Sequence, residues 1–173
     1  DLYKKGLIYE EMRITNWDPV LRTTIADSEV DYKEIPSTLN FVRWKVKETG
    51  GEITIATTRP ELICTCGMVI FNPSDDRYRH LHGKTASTPI FNREVRIMSH
   101  PLASIEKGTG MAMMCSAGDL SDIQFFREMN LKPVIAIDSD GRMNKNAGFL
   151  QGMKVREARE KIVEELKKRH LIA

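Results

Sequence analysis

Two short segments of the chain carry side chains that could bind and position a small polar substrate. The first is Thr57-Thr58-Arg59-Pro60, with two hydroxyls and a guanidinium ahead of a proline. Proline lacks an N–H and fixes φ, so it suits the first turn of a helix and leaves neighbouring N–H groups free for ligand oxygens. Such a turn can hold a ribose, an adenine edge and a phosphate. The same residues could equally be a capped helix start with no ligand.

The second segment contains Asp119 and Asp122, which are three residues apart and therefore neighbours on one helical face. Two carboxylates on one face can hold an ammonium group. The alternative is that they cap a helix and compensate its dipole. Gly108-Thr109-Gly110 precedes them and indicates close approach of the backbone to a ligand or a neighbouring strand. Met113 and Met114 follow, as ordinary core or as the pliable wall of an apolar pocket.

No nucleophile paired with a base, and no metal site, emerges from the other reactive side chains. The histidines lack motif context, which is typical of surface or hydrogen-bonded histidines. The cysteines have neither Cys-x-x-Cys nor zinc-finger spacing, so we expect free thiols. The residues concerned are His80, His82, His100, His170, Cys64, Cys66 and Cys115.

The composition limits the class of protein but says little about its function. The 173 residues suffice for one sizeable core. A net charge of +2 is too small to indicate nucleic-acid binding by itself. No apolar run approaches the roughly 18 residues needed to span a bilayer, and the first residues look like a helix entered midway, with no targeting sequence. We therefore expect a single soluble, cytoplasmic, monomeric domain cut from a larger protein.

Alternating and helical patterns predict the elements that position these side chains. Residues 1 to 11 predict a helical tail, and 13 to 19 a strand running into a turn at Asp18-Pro19. Residues 41 to 56 alternate around Thr49-Gly50-Gly51 and predict a β-hairpin that delivers the Thr-Thr-Arg-Pro segment to a sheet edge.

Further along the chain, short strands alternate with helices. Residues 68 to 71 predict a buried strand, after which Ser74 could cap a short helix. We also expect strands around Ile90 and at 95–98, 110–115 and 133–137, and a turn at 138–141. Helices are predicted from Asp119, with Ile123, Phe126 and Met129 on one face, and over 153–170, with Val155, Ala158, Ile162 and Leu166 on one stripe.

The two motifs together resemble the editing domain of the valyl-, isoleucyl- and leucyl-tRNA synthetases. Arg-Pro-Glu-Leu at 59–62, followed by Gly-Asp-x-x-Asp at 118–122, is most similar to the valyl enzymes of archaeal type. The resemblance implies an α+β fold with a mixed, barrel-like β-sheet core and short peripheral helices. It also implies a connector arm at 1–35, a core at 36–150 and a C-terminal helix at 151–173.

The resemblance also implies a role for each residue of the two motifs. Thr57 and Thr58 would cradle the terminal adenosine of charged tRNA, with Arg59 near the phosphate. Asp122 would bind the α-amino group of the misattached amino acid, and Asp119 its side-chain hydroxyl.

Three departures from bacterial relatives shape these expectations. Leu62 replaces a common threonine, Gly118 a histidine, and Met113 a lysine near the substrate hydroxyl, which leaves Asp119 as the main reader of that hydroxyl. Relatives can also bind zinc near residues 16–19, but Asp18 and Leu21-Arg22 occupy the positions expected for such ligands, so no metal is predicted.

The expected reaction is hydrolysis of mischarged threonyl-tRNA(Val). A hydrophobic synthetic pocket cannot strongly reject an isostere that exchanges methyl for hydroxyl, and threonine against valine is the standard example. The His-Ile-Gly-His and Lys-Met-Ser-Lys-Ser signatures of aminoacylation are absent from this sequence, so this segment should edit but not charge tRNA. It then needs no cofactor, ATP serving only the full-length synthetase. Its partners would be the 3′ end of tRNA(Val) and the rest of the synthetase, with no membrane.

Two other interpretations stay open. One is editing for an isoleucyl or leucyl enzyme. The other is a tRNA-binding insertion without catalysis, in which the aspartates only cap a helix.

Overall fold

A computed structural model of the chain describes residues 1–10 and 15–173. Its internal contacts divide the described residues into two units, Asp1–Ile35 and Pro36–Ala173. Within those residues, no helix is both long and apolar enough to cross a membrane.

The first unit contains a small antiparallel hairpin of β1 (Asn16–Asp18) and β2 (Thr23–Ile25). Its turn is set by Asp18, whose Oδ1 accepts hydrogen bonds from the N–H groups of Val20 at 2.7 Å and Leu21 at 3.1 Å. A short 3₁₀ helix, Asp27–Glu29, follows. The strand and turn predicted here are confirmed over the described residues, whereas positions 13 and 14 of that prediction lie outside them.

The second unit is built on a six-stranded mixed sheet, which confirms the predicted α+β, barrel-like class. The strand order is β4-β3-β6-β7-β5-β8, with β5 and β7 parallel and the other neighbours antiparallel. The strands are β3 (Asn40–Val46), β4 (Glu52–Thr57), β5 (Cys66–Phe71), β6 (Thr85–Ser87), β7 (Glu94–Ser99) and β8 (Met111–Cys115).

The predicted hairpin is the β3–β4 pair, and its tight turn is at Gly50, where φ is +64°. Val42, Trp44 and Val46 of β3 point into the main core, as the alternation predicts. Strand β5 is buried on both faces, since Val69 joins the main core while Met68 and Ile70 join a second cluster with Phe125 and Phe126. A strand that is buried on both faces has apolar residues at successive positions of its sequence, without alternation.

Two α-helices and several 3₁₀ helices surround the sheet. Helix α1 (Leu120–Glu128) packs on the outer face of β5 and β8, and α2 (Val155–Lys168) buries Ala158, Ile162 and Leu166 completely. Burying a large aliphatic side chain contributes about 1.5–3 kcal/mol relative to leaving it exposed. The 3₁₀ segments of this unit are Pro60–Thr65, Arg79–Leu81 and Lys145–Leu150, the last interrupted at Gly148.

Edge strands β4 and β8 approach each other and nearly close the sheet. The Thr109 hydroxyl donates to the Thr54 carbonyl at 2.7 Å. Gly108 has φ of +62°, and a Cβ on it would lie 2.6 Å from the Ala56 Cβ. The Gly-Thr-Gly segment therefore meets a neighbouring strand, and it precedes β8 rather than being part of it.

Four predicted elements are wrong, and a positive φ value or a hydrogen bond to a side chain explains each. Residues 1–10 of the predicted helical tail form turns and bends and not a helix, because Gly6 adopts φ of +68° after one turn; position 11 of that prediction lies outside the described residues. Ser74 caps no helix, since its N–H donates to the Asn72 side chain. Ile90 has φ of +67° and lies in the turn between β6 and β7. Residues 133–137 form no strand, and the Val134 N–H donates to the Ser116 hydroxyl at 2.7 Å instead.

We expect Gly108→Ala to destabilise the fold more than Gly50→Ala. Both glycines have positive φ, where a Cβ costs about 1–2 kcal/mol, but nothing lies within 4 Å of a Cβ built on Gly50. The extra loss at Gly108 comes from the clash with Ala56. Urea unfolding of both variants measures the difference, and equal losses would show that this contact between strand edges is not tight.

Candidate active site

A cavity of about 360 Å³ opens between the end of β4, the 3₁₀ helix Pro60–Thr65, β8 and the start of α1. All seven residues that the sequence singled out line it, although they come from segments some fifty residues apart. They are Thr57, Thr58, Arg59, Leu62, Met113, Asp119 and Asp122. Lys107, Gly108 and Gly110 complete part of its wall.

Asp122 is the buried acid of this cavity, with 9% of its surface exposed. Its Oδ1 accepts a hydrogen bond from the Cys115 N–H at 2.9 Å, which joins α1 to the end of β8. The pKa of the Asp122 carboxyl is raised from 3.8 to about 6, chiefly by burial and to a smaller extent by the charge of Asp119, while the hydrogen bond from the Cys115 N–H and the charge of Arg59 act to lower it. The carboxyl is thus mostly ionised at pH 7 but only weakly compensated.

The second oxygen of Asp122 packs against the backbone of Gly118. A Cβ on Gly118 would lie 2.3 Å from Asp122 Oδ2 and 3.5 Å from Leu62 Cδ1. Ala117, just before it, has φ of +53°, so the chain turns sharply between β8 and α1. The lack of a side chain on Gly118 is what lets the carboxylate lie this close to the turn.

Asp119 is the N-cap of α1, and its Oδ1 accepts from the Asp122 N–H at 2.9 Å. The capping interpretation of this residue is therefore correct as far as that oxygen is concerned. An ionised carboxylate has about four acceptor positions, so capping leaves acceptor capacity in this exposed side chain. The cap also fixes where the remaining oxygen points relative to the cavity.

The two threonines line the cavity at the point where β4 ends, with Thr57 as its last residue and Thr58 directly after it. Thr57 Oγ1 accepts a hydrogen bond from the Arg59 N–H at 3.0 Å, so its hydroxyl hydrogen stays available as a donor. The Thr58 side chain is exposed. Pro60 begins the 3₁₀ helix, as its fixed φ predicts. Hydroxyls and a turn backbone are thus presented together at one rim.

Arg59 is engaged within the protein. Its Nη1 donates to the Gly118 carbonyl at 2.7 Å, and its Nε to Glu61 Oε1 at 3.3 Å. Glu61 is fully buried and also accepts two hydrogen bonds from Arg159, at 3.0 and 2.8 Å, which raise the pKa of that guanidinium. In the sequence, Glu61 was noted only as part of the Arg-Pro-Glu-Leu motif. No pattern indicated that Arg159 is its partner, because the two residues are 98 positions apart.

An apolar wall faces the polar groups. Leu62 is almost fully buried in the 3₁₀ helix, and Met113 is half-buried in β8. Both line the cavity. The site therefore combines a compact apolar surface with one buried and one exposed carboxylate.

The histidines and cysteines lie outside this chemistry, with the exception of Cys115, which lines the cavity. All three cysteines are free, as predicted, and all three are buried. Burial raises the pKa of the Cys64 thiol to about 11, and a hydrogen bond with Cys66, together with burial, raises that of Cys115. Over residues 1–10 and 15–173, no group of three or more His, Cys, Asp or Glu side chains could hold a metal ion.

Asp122→Asn should stabilise the protein above about pH 6. Because the folded-state pKa is raised from 3.8 to about 6, the stability of the native protein is highest below the unfolded value and falls as pH rises through about 6. The asparagine keeps an oxygen for the Cys115 N–H but has no charge to desolvate. We expect a gain of about 1–2 kcal/mol at pH 7–8, which is less than the whole pKa shift corresponds to because solvent screens part of the charge. The gain should disappear near pH 4, measured by urea unfolding across that range. A gain independent of pH would contradict the assigned cause.

Comparison with known proteins gives the family. Residues 1–169 match the model of "tRNA synthetases class I (I, L, M and V)". The chain is 42% identical to the valine–tRNA ligase of Aeropyrum pernix over 172 residues, covering 99% of this chain and 21% of the relative. It is 44% identical to that of Pyrococcus furiosus over 172 residues, covering 99% and 19%. The chain thus spans about a fifth of the length of these relatives.

A solved structure gives the same fold at greater evolutionary distance. The LeuRS chain in the crystal structure of the Agrobacterium radiobacter ternary complex LeuRS-tRNA-LeuAMS matches 98% of this chain, with 30% of its own length, a TM-score of 0.63 and 17% sequence identity. The nearly closed six-stranded sheet is therefore shared with a leucyl relative. The chain belongs to the class I tRNA synthetases of the isoleucyl, leucyl, methionyl and valyl group, and it is homologous over almost its whole length to archaeal valine–tRNA ligases.

Proposed function

We propose that this chain is the post-transfer editing domain of a valine–tRNA ligase, which hydrolyses the ester of mischarged threonyl-tRNA(Val). Residues 36–173 would form the editing body, with the C-terminal helix in its last part, and residues 1–35 would connect it to the rest of the synthetase. The activity would be that of an aminoacyl-tRNA deacylase acting as a monomeric, cytoplasmic part of the ligase, without a cofactor of its own.

One observation carries the proposal. Among the residues that the structure describes, no cationic side chain is bonded to the buried Asp122 carboxylate, which shares a small cavity with two threonine hydroxyls and an apolar wall. An isolated buried charge is costly, and a substrate ammonium would relieve that cost. A cavity built only for packing would gain more from an apolar residue at this position.

The proposed mechanism depends on positioning. Asp122, ionised at neutral pH, would bind the α-amino group, while Thr57 and Thr58 bind the terminal adenosine on the other side of the ester. Fixing both ends holds the ester carbonyl where water can attack, and such orientation can supply a large part of a rate enhancement. No protein nucleophile is needed for hydrolysis of an activated ester.

Selectivity would come from Asp119 and the apolar wall. A threonine hydroxyl would donate to the Asp119 carboxylate while its methyl group contacts Leu62 and Met113. Valine would leave that acceptor desolvated without a donor, which costs about 1–3 kcal/mol. The site would therefore favour the amino acid that the synthetic pocket wrongly accepts.

One observation favours a second candidate, a tRNA-binding insertion without catalysis. Asp119 does cap α1, as that interpretation requires. Capping accounts for Asp119 but gives no reason for the unpaired burial of Asp122, which is why the editing proposal is preferred.

Asp122→Ala should lower kcat/KM for deacylation of threonyl-tRNA(Val) by about tenfold to a hundredfold, because a charge-assisted hydrogen bond to the substrate is lost. Asp76→Ala is the matched control, since Asp76 forms only an exposed ion pair with Arg79. Undiminished hydrolysis by the Asp122 variant would contradict the proposed role of Asp122 in binding the substrate.

The rival functions are separated by offering other substrates in the same assay. Faster hydrolysis of valyl-tRNA(Ile) or norvalyl-tRNA(Leu) than of threonyl-tRNA(Val) would favour the isoleucyl or leucyl alternative. Binding of tRNA without hydrolysis of any mischarged species would favour the non-catalytic insertion.

A further inference from the structure

Glu61 is a second buried carboxylate beside the cavity, and the mechanism above does not use it. It lies within the 3₁₀ helix between Arg59 and Leu62, both of which line the cavity, and none of its surface is exposed. A carboxylate buried this deeply is tolerated only when it is paired and hydrogen-bonded. Its partners therefore show what it holds in place.

Two guanidinium groups share Glu61. Arg159 of α2 donates from Nε to Oε2 at 3.0 Å and from Nη2 to Oε1 at 2.8 Å, which is a bidentate pair. Arg59 donates from Nε to the same Oε1 at 3.3 Å. Helix α2 is thereby tied through one carboxylate to the turn that follows β4.

Arg59 carries this connection into the site. Its Nη1 donates to the Gly118 carbonyl at 2.7 Å. Gly118 directly precedes Asp119 and lies against Asp122 Oδ2, so its peptide helps to define the position of both carboxylates. The link runs from α2 through Glu61 and Arg59 to the loop that bears the acids.

We propose that Glu61 and Arg159 are positioning residues for the editing reaction: they orient Arg59 so that it fixes the Gly118 carbonyl and hence the Asp119–Asp122 loop. The effect on catalysis that this proposal predicts rests on the proposed function. Arg59 then acts on the loop and not on a tRNA phosphate. The fixed positions of the carboxylates are needed most when the ester is held for attack by water. Loss of Glu61 or Arg159 should therefore lower the rate of hydrolysis more than it weakens tRNA binding.

A purely stabilising role explains these contacts less well. Buried ion pairs contribute little to stability compared with apolar residues of similar size. The helix α2 already buries Ala158, Ile162 and Leu166. The ion pair instead fixes the orientation of the Arg59 side chain. A planar guanidinium that is hydrogen-bonded on two edges, here to Glu61 and to the Gly118 carbonyl, has one orientation.

Arg159→Met is the decisive variant, and Arg156→Met on the same helix is its matched control, because Arg156 forms only an exposed pair with Glu160. Without Arg159, Glu61 draws Arg59 away from Gly118. We expect kcat for threonyl-tRNA(Val) to fall about tenfold to a hundredfold, with KM changed by no more than about twofold. Arg159→Lys, which keeps the charge but not the bidentate geometry, should give an intermediate kcat, and it carries the test if the methionine variant is unfolded at the assay temperature.

A second readout does not depend on catalysis. Asp122 faces Asp119, Cys115 and Arg59, and only Arg59 among them is cationic. Withdrawal of Arg59 should raise the pKa of the Asp122 carboxyl, measured by its NMR chemical shift against pH, in Arg159→Met but not in Arg156→Met. Wild-type kcat together with a wild-type Asp122 pKa would overturn the proposal, and so would equal effects of the two methionine variants. Absence of hydrolysis by the wild-type chain would instead sink the proposed function, while the Asp122 titration would still decide the role of Arg159.

Discussion

The contact between the Asp122 carboxylate and the backbone at the end of β8 is the constraint on which the site depends. One oxygen accepts from the Cys115 N–H, and the other lies where a side chain on Gly118 would have to be. This contact sets the start of α1 against the sheet and leaves a charge in a buried position. The turn at Ala117 and the glycine at 118 follow from it, because the chain must pass very close to that carboxylate.

The cavity region contains two buried carboxylates with opposite environments. Glu61 has three hydrogen bonds from two arginines. Asp122 has a backbone partner and a pKa raised to about 6. A paired carboxylate organises structure, whereas an unpaired one is able to accept a cation from outside. Differences in environment of this kind can assign distinct roles to chemically identical groups, and we propose positioning for Glu61 and substrate binding for Asp122.

Much of this arrangement could be predicted from the sequence, because it depends on local patterns. The β3–β4 hairpin, the buried strand β5, the cap at Asp119 and the apolar stripe of α2 all have such signatures. The errors at 1–10, Ser74, Ile90 and 133–137 arose where side chains or positive φ values replaced regular hydrogen bonding. The engagement of Arg59 could not be predicted, because it depends on Arg159 and Gly118, which only the tertiary fold brings together. Motif spacing shows which residues are adjacent in sequence but not which partners they meet.

The most direct test of the central claim is the ratio of deacylation rates for two substrates on one tRNA. Threonyl-tRNA(Val) and valyl-tRNA(Val) share every contact except those of the amino-acid side chain, so their ratio isolates the discrimination attributed to Asp119 and the apolar wall. We expect the threonyl ester to be hydrolysed about tenfold faster or more, which corresponds to the cost of a polar group that the bound substrate covers without giving it a hydrogen-bond partner. Equal rates, or hydrolysis of neither ester, would contradict it.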